Sequence, residues 1–137
     1  MAGTFRHVKA TFLVTKKEGL SDEEFRKHYT EVHTPMAVEV CKRHGVLDYS
    51  VHFNTKTEKA AARAAFGENA TFISCDAVTT FIFPDMRSLV ESFADPEYAA
   101  KLAPDESTFT DRSKSQFAVS NEFVVLANGR DSAPDRG

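Results

Sequence analysis

"TKKEGLSDEEFRKHYTEVHTPMA", residues 15–37, carries the chain from the end of a β-like segment into a helix, and the order of elements follows from it. Gly19 marks the turn. Ser21 opens a capping box, in which its hydroxyl accepts the amide N–H of Glu24 while the Glu24 carboxylate reaches back. Asp22, Glu23 and Glu24 suit the positive end of a helix dipole. Phe25, Tyr29, Val32, Met36 and Val40 recur at helical spacing, and Gly45 supplies a stop. Pro35 has no N–H for the carbonyl of Glu31, so the helix is predicted to kink or restart there.

On the amino-terminal side, "HVKATFLVT" (7–15) alternates as a strand: Val8, Ala10, Phe12 and Val14 on one face, His7, Lys9, Thr11, Leu13 and Thr15 on the other. Beyond the helix, "VLDYSVHFN" (46–54) alternates with Leu47, Tyr49, Val51 and Phe53 against Val46, Asp48, Ser50, His52 and Asn54. The Ala- and charge-rich stretch 55–70 reads as a long connection with a helical turn or two. "TFISCDAVTTFIF" (71–83) reads as a strand without clean alternation, hence covered on both faces. "PDMRSLVESFAD" (84–95) is predicted helical, with Met86, Leu89, Val90 and Phe93 as its apolar residues. A short helical piece (96–102), a polar loop (103–114) and a last strand (115–127) follow.

The order β-α-β-β-α-β predicts an α+β class, a ferredoxin-like sandwich with an antiparallel sheet and helices on one face. Residues 1–127 form one domain in this reading, and 128–137 a flexible tail. The sheet face away from the helices is expected to be rich in Phe and Val. That predicts a second copy packed sheet to sheet, a homodimer. No sequence repeat suggests tandem domains instead.

Composition narrows the function. The 137 residues are 42% hydrophobic and 27% charged, which is ordinary for a globular chain. Twelve Phe and no Trp point to flat apolar surface in a core or pocket. A net charge of −3 with scattered basic residues favours neither nucleic acid nor an anionic membrane as partner. No apolar run approaches the roughly 18 residues that span a bilayer. Cys41 and Cys75 are too few for a disulfide framework and lack metal-ligand spacing, so a reducing cytosol fits. Neither a nucleotide-binding glycine loop nor a metal cluster is visible, and no cofactor is expected.

Residues 15–37, together with "CDAVTTFIF" (75–83) and "LVESFADPEYAAKLAPDESTFTD" (89–111), resemble the EthD-domain family. The shared features are a strand, a glycine turn, a capping box, an aromatic residue with His-x-Pro, then a strand, a helix and a Pro-Asp-Glu segment. The resemblance implies a dimeric α+β barrel. It also implies a role like that of fungal polyketide-pathway proteins described as decarboxylases or dehydratases of aromatic polyketide acids. A cofactor-free monooxygenase of a phenol or anthrone is the alternative activity. A non-catalytic dimeric small-molecule binder is the alternative without one.

Loss of CO₂ or water from an aromatic acid needs a proton donor or base, a grip on a ketone or phenol oxygen, and dry aromatic walls. Imidazole suits the first task, with an unperturbed pKa near ~6.5. His33 lies four residues beyond Tyr29, so the two share a helical face. Either His33 works in a chamber with Tyr29 holding an oxygen, or it packs structurally against the freed carbonyl of Glu31. Asp76, an acid within a strand, needs a partner when buried; His33 is the expected one, and the alternative is a strand-end Asp that accepts nearby amides. Ser50 and His52 share the polar face of their strand and either meet solvent or line a polar cavity. His28 lies on the more solvated side of the helix and is a secondary substrate-binding candidate. Phe12, Phe53 and Phe81 are candidate pocket walls. Asp105 and Glu106 read as a loop cap.

Overall fold

The computed structural model describes residues 4–131. Four strands form one antiparallel sheet: β1 (Thr4–Val14), β2 (Asp48–Phe53), β3 (Ala77–Phe83) and β4 (Gln116–Val124), in the spatial order β2-β3-β1-β4. Each alternate residue of a strand faces the same way, so register assigns the faces. Ala10 pairs with Phe81, Phe12 with Thr79 and Val14 with Ala77, and all of these point toward the helices. Thr11 pairs with Thr80, which pairs with Ser50, and this row points the opposite way.

Helix α1 (Asp22–His28) begins at the expected capping box, with Ser21 Oγ accepting the Glu24 N–H and Glu24 Oε1 accepting the Ser21 N–H, both at 3.0 Å. It does not run on as a regular helix. A π-turn, Tyr29–His33, separates it from α2 (Thr34–Arg43), and the Thr34 N–H donates to the carbonyl of Tyr29, five residues back. Proline at 35 can donate no N–H and clashes with the carbonyl four residues earlier, so the wider turn just before it is the economical path. The extra residue changes the helical phase. His33 and Ala37 turn inward, whereas Val32, expected in the core, is 44% exposed.

The second half repeats the device. Helix α3 (Lys56–Phe66) is three turns long, more than the one or two expected of this connection, and its Thr55 side chain caps it. Helix α4 (Met86–Ala94) turns Ser88, Leu89, Ser92 and Phe93 inward, while Met86 and Val90 lie exposed. A second π-turn, Tyr98–Leu102, precedes α5 (Ala103–Phe109), with Pro104 six residues after Tyr98 as Pro35 is six after Tyr29. The polar loop expected at 103–114 is therefore corrected. Its first half is helical, because Pro104 pre-sets the first turn and Phe109 anchors the end in the core at 1% exposure.

One core cluster joins Val14, Phe25, Tyr29, Ala77 and Phe109, and a second joins Ala37, Val40 and Leu102. Burying a side chain such as Phe109 contributes on the order of 2–3 kcal/mol. Two further strands, β5 (Leu126–Ala127) and β6 (Arg130–Asp131), form a small hairpin around Asn128 and Gly129, both at positive φ. Of the tail expected at 128–137, residues 132–137 lie outside the described residues. Among the described residues, no helix is long and apolar enough to cross a membrane.

The sheet face away from the helices differs from expectation. Phe12, Phe53, Phe81 and Phe83 all point to the helices, leaving Lys9, Thr11, Ser50, His52 and Thr80 beside Leu13, Val78 and Ile82 on the other side. Exposed apolar surface lies instead along β4 and just beyond it. Phe117, Val119, Val125 and Leu126 are 42–68% exposed.

Candidate active site between sheet and helices

A cavity of about 540 Å³ opens between the sheet and the helices. That is within the roughly 300–1,000 Å³ usual for small-molecule sites. Its walls are flat. Tyr49 stacks on Phe81 with ring centroids 4.4 Å apart and planes within 8°. Phe12 meets Phe81 edge-on at 5.8 Å and stacks on Phe117 at 5.5 Å. Such surfaces complement a planar aromatic ligand through offset stacking and edge contacts.

The π-turn delivers His33 into this cavity. The ring is 6% exposed and packs on Tyr29 and Phe109 at 5.7 and 5.2 Å. Its Nδ1–H donates to Asp105 Oδ2 at 3.0 Å. The His28 Nε2–H donates to the same carboxylate, 2.9 Å from Oδ1, and the His28 ring lies against Phe109. Asp105 thus sits between two imidazoles. Nε2 of His33 makes no hydrogen bond among the described residues and is the nitrogen left to meet a ligand. A carboxylate on Nδ1 fixes the tautomer and leaves Nε2 able to take and return a proton. Among the described residues, no group of three or more His, Cys, Asp or Glu side chains is arranged to hold a metal ion.

Glu106, the next residue, points elsewhere. It lines the cavity, and the Tyr98 hydroxyl donates to its Oε1 at 2.9 Å. Burial pushes its carboxyl above the ordinary range, against the opposing pull of Tyr98, His33 and Arg112. The Tyr29 and Thr79 hydroxyls share a hydrogen bond of 2.5 Å, and burial pushes the Tyr29 phenol up to about 12. Burial likewise pushes Cys41 up to about 11, so this cavity-lining thiol is a poor nucleophile. Arg112 also lines the cavity, exposed to solvent, and its guanidinium makes no hydrogen bond or ion pair among the described residues.

The structure therefore brings together some of the residues singled out in the sequence and separates others. His33, Tyr29, Phe12 and Phe81 share the cavity. Phe53 packs behind it, edge-on to Phe25 and Tyr29. His28 does not line it and reaches it only through Asp105. The expected His33–Asp76 pair is corrected: Asp76 accepts the Lys16 backbone N–H at 2.8 Å, one residue before β3, and Asp105 holds His33 instead. Ser50 and His52 lie exposed on the opposite sheet face, hydrogen-bonded to each other at 3.1 Å, because their register matches Thr80 rather than Thr79. Glu106, Tyr98, Thr79 and Arg112 are cavity residues that sequence reasoning missed, and it also missed Asp105, which does not line the cavity but holds His33. Tyr98-x5-Pro104, matching Tyr29-x5-Pro35, was the available signal for the second π-turn.

The EthD domain model matches residues 17–113, the span that holds the whole His28–Asp105–His33 arrangement. The chain belongs to the EthD domain family. EthD relatives include the dehydratase aurZ of Gibberella zeae, 31% identical over 117 residues that cover 83% of this chain and 77% of the relative. They also include the decarboxylase claH of Passalora fulva, 24% identical over 122 residues covering 87% and 79%. Among solved structures, a dimeric protein of unknown function and ferredoxin-like fold from Bacteroides fragilis superposes with a TM-score of 0.59. It is 11% identical, covering 87% of this EthD chain and 100% of its own. The ferredoxin-like α+β fold is thereby shown.

Proposed function

We propose that this protein is a cofactor-independent lyase, a decarboxylase or dehydratase, acting on an aromatic polyketide acid in fungal-type secondary metabolism. The observation that carries the reading is the His33 ring, which lines an aromatic-walled cavity and is held there through Nδ1 by Asp105. A positioned imidazole contributes about 10²–10⁴-fold to proton transfer. The relatives named dehydratase and decarboxylase support the same chemistry. Tyr29 with Thr79, and Tyr49, supply hydroxyls for a ketone or phenol oxygen. Arg112, free of an ion pair at the cavity's solvent-exposed side, suits the substrate carboxylate.

The working unit in this reading is a homodimer. The exposed apolar stripe along β4 and into Leu126 supports it, since a second copy would cover both that stripe and the outer side of Phe117. The test of function is incubation with candidate aromatic polyketide acids while CO₂ release, water loss and O₂ uptake are followed together. Release of CO₂ or loss of water without O₂ consumption supports a lyase. Stoichiometric O₂ uptake overturns it in favour of an oxygenase, and tight binding without turnover in favour of a binding protein.

A further inference from the structure

Asp105 and Glu106 are adjacent carboxylates in opposite surroundings. Asp105 receives N–H groups from His28 and His33, whereas Glu106 faces the aromatic cavity with Tyr98 as its hydrogen-bond donor. Two acids so divided suit two different roles in one site. A decarboxylation needs only a donor to protonate carbon, but eliminating water needs a base at one carbon and an acid at the next. The cavity holds both, in His33 and Glu106.

We propose that Glu106 is the general acid of this site and that it works with His33 to expel water from a β-hydroxy carbonyl compound on an aromatic framework, which makes the protein a dehydratase. This rests on the lyase reading above. Nε2 of His33 removes the proton on the carbon next to the substrate carbonyl. The C–H electron pair is first held as the enolate, which the imidazolium can reprotonate. It then forms the new C=C bond as the β-carbon–oxygen bond breaks, and the hydroxyl departs with the Glu106 proton as water. Asp105 offsets the charge on the imidazolium, and passage of the His33 proton to the Glu106 carboxylate restores both groups. The Tyr98 hydroxyl lies 2.9 Å from Oε1 and 3.4 Å from Oε2, so Oε2 is the more weakly held oxygen and carries the transferable proton. The groups that reach Glu106 are Tyr98, His33, Arg112, Asp105, Tyr29 and Tyr49; burial and Asp105 favour its protonated form, whereas Tyr98, His33 and Arg112 favour the carboxylate.

The test uses 3-hydroxy-1-tetralone, whose dehydration gives fluorescent 1-naphthol. Deuterium uptake at C2 in D₂O is followed by NMR in parallel. Wild type should do both. Glu106→Gln should lower elimination by about 10²–10⁴-fold and still exchange the C2 proton at close to the wild-type rate, because the base is intact. His33→Ala should lose both, and Glu106→Asp should recover part of the elimination. Elimination by Glu106→Gln within about tenfold of wild type overturns the assignment. So does a parallel loss of exchange and elimination, which would mark Glu106 as structural. Wild type that neither exchanges nor eliminates overturns the dehydratase assignment, and CO₂ release from an aromatic polyketide acid would then leave the lyase reading standing as a decarboxylase.

Discussion

Asp105 Oδ2 lies 3.0 Å from Nδ1 of His33, 72 residues away in the chain. The two meet because His33 ends one π-turn and Asp105 follows the other, each turn lying just before a proline, and the His33 ring packs against Phe109 of the Asp105 helix. If the carboxylate orients the imidazole, Asp105→Asn should lower kcat by about two orders of magnitude with KM nearly unchanged. Steady-state kinetics with a melting curve checks this. Normal kcat in a protein of lowered Tm would make Asp105 a purely structural tie.

His52→Ala and Ser50→Ala should leave turnover near wild type, since both side chains face away from the cavity. Val125→Asp, on the exposed apolar stripe, should shift sedimentation toward the ~15 kDa monomer by placing a charge in the proposed dimer interface. A sharp fall in turnover for His52→Ala at saturating substrate would place the chemistry on the wrong side of the sheet.

Glu106 also sets a stability signature. Its folded pKa is raised by burial, so its contribution to stability is fully present below the unfolded value, about 4.3, and is lost as pH rises through the folded value. Glu106→Gln removes that dependence. By calorimetry, the Tm of the variant minus that of wild type should grow as pH is raised from about 4 to 8. A constant difference would mean that the carboxyl is not held above its ordinary range.

Asp95 shows the opposite sign. Arg43 first, then His44 and the Glu97 N–H, hold its carboxyl well below the ordinary range and tie the end of α2 to the end of α4. That stabilisation is present above the unfolded pKa, about 3.9, and is lost as pH falls through the depressed folded value. Asp95→Asn should therefore be less stable than wild type at pH 7, with the gap closing in acid. An equal Tm for the two proteins at neutral pH would contradict the role of this cluster.

The faces of β1 and β2 were legible because alternation is a local property: Ala10, Phe12, Tyr49 and Phe53 all fall where period-two reading puts them. Those of β3 were not, since 71–83 lacks clean alternation and the strand begins only at Ala77. So was the start of α1, where the capping box is a four-residue signal. The helix phase was not. Extrapolating from Phe25 at regular spacing selects Val32 and Met36, but the π-turn adds a residue and selects His33 and Ala37. Asp105 was hidden for a related reason. The stretch 103–109 buries little besides Phe109, so its hydrophobic pattern does not announce a helix. Asp76 takes the alternative to a His33 pair, that of a strand-end carboxylate on a nearby amide: the Lys16 backbone N–H donates to its Oδ2.

The proton-transfer role of His33 is tested most directly by His33→Ala, assayed for turnover of an aromatic polyketide acid alongside circular dichroism and sedimentation. The variant should keep its fold and assembly and lose about two to four orders of magnitude in kcat. A folded His33→Ala that retains more than about a tenth of wild-type turnover would contradict that role.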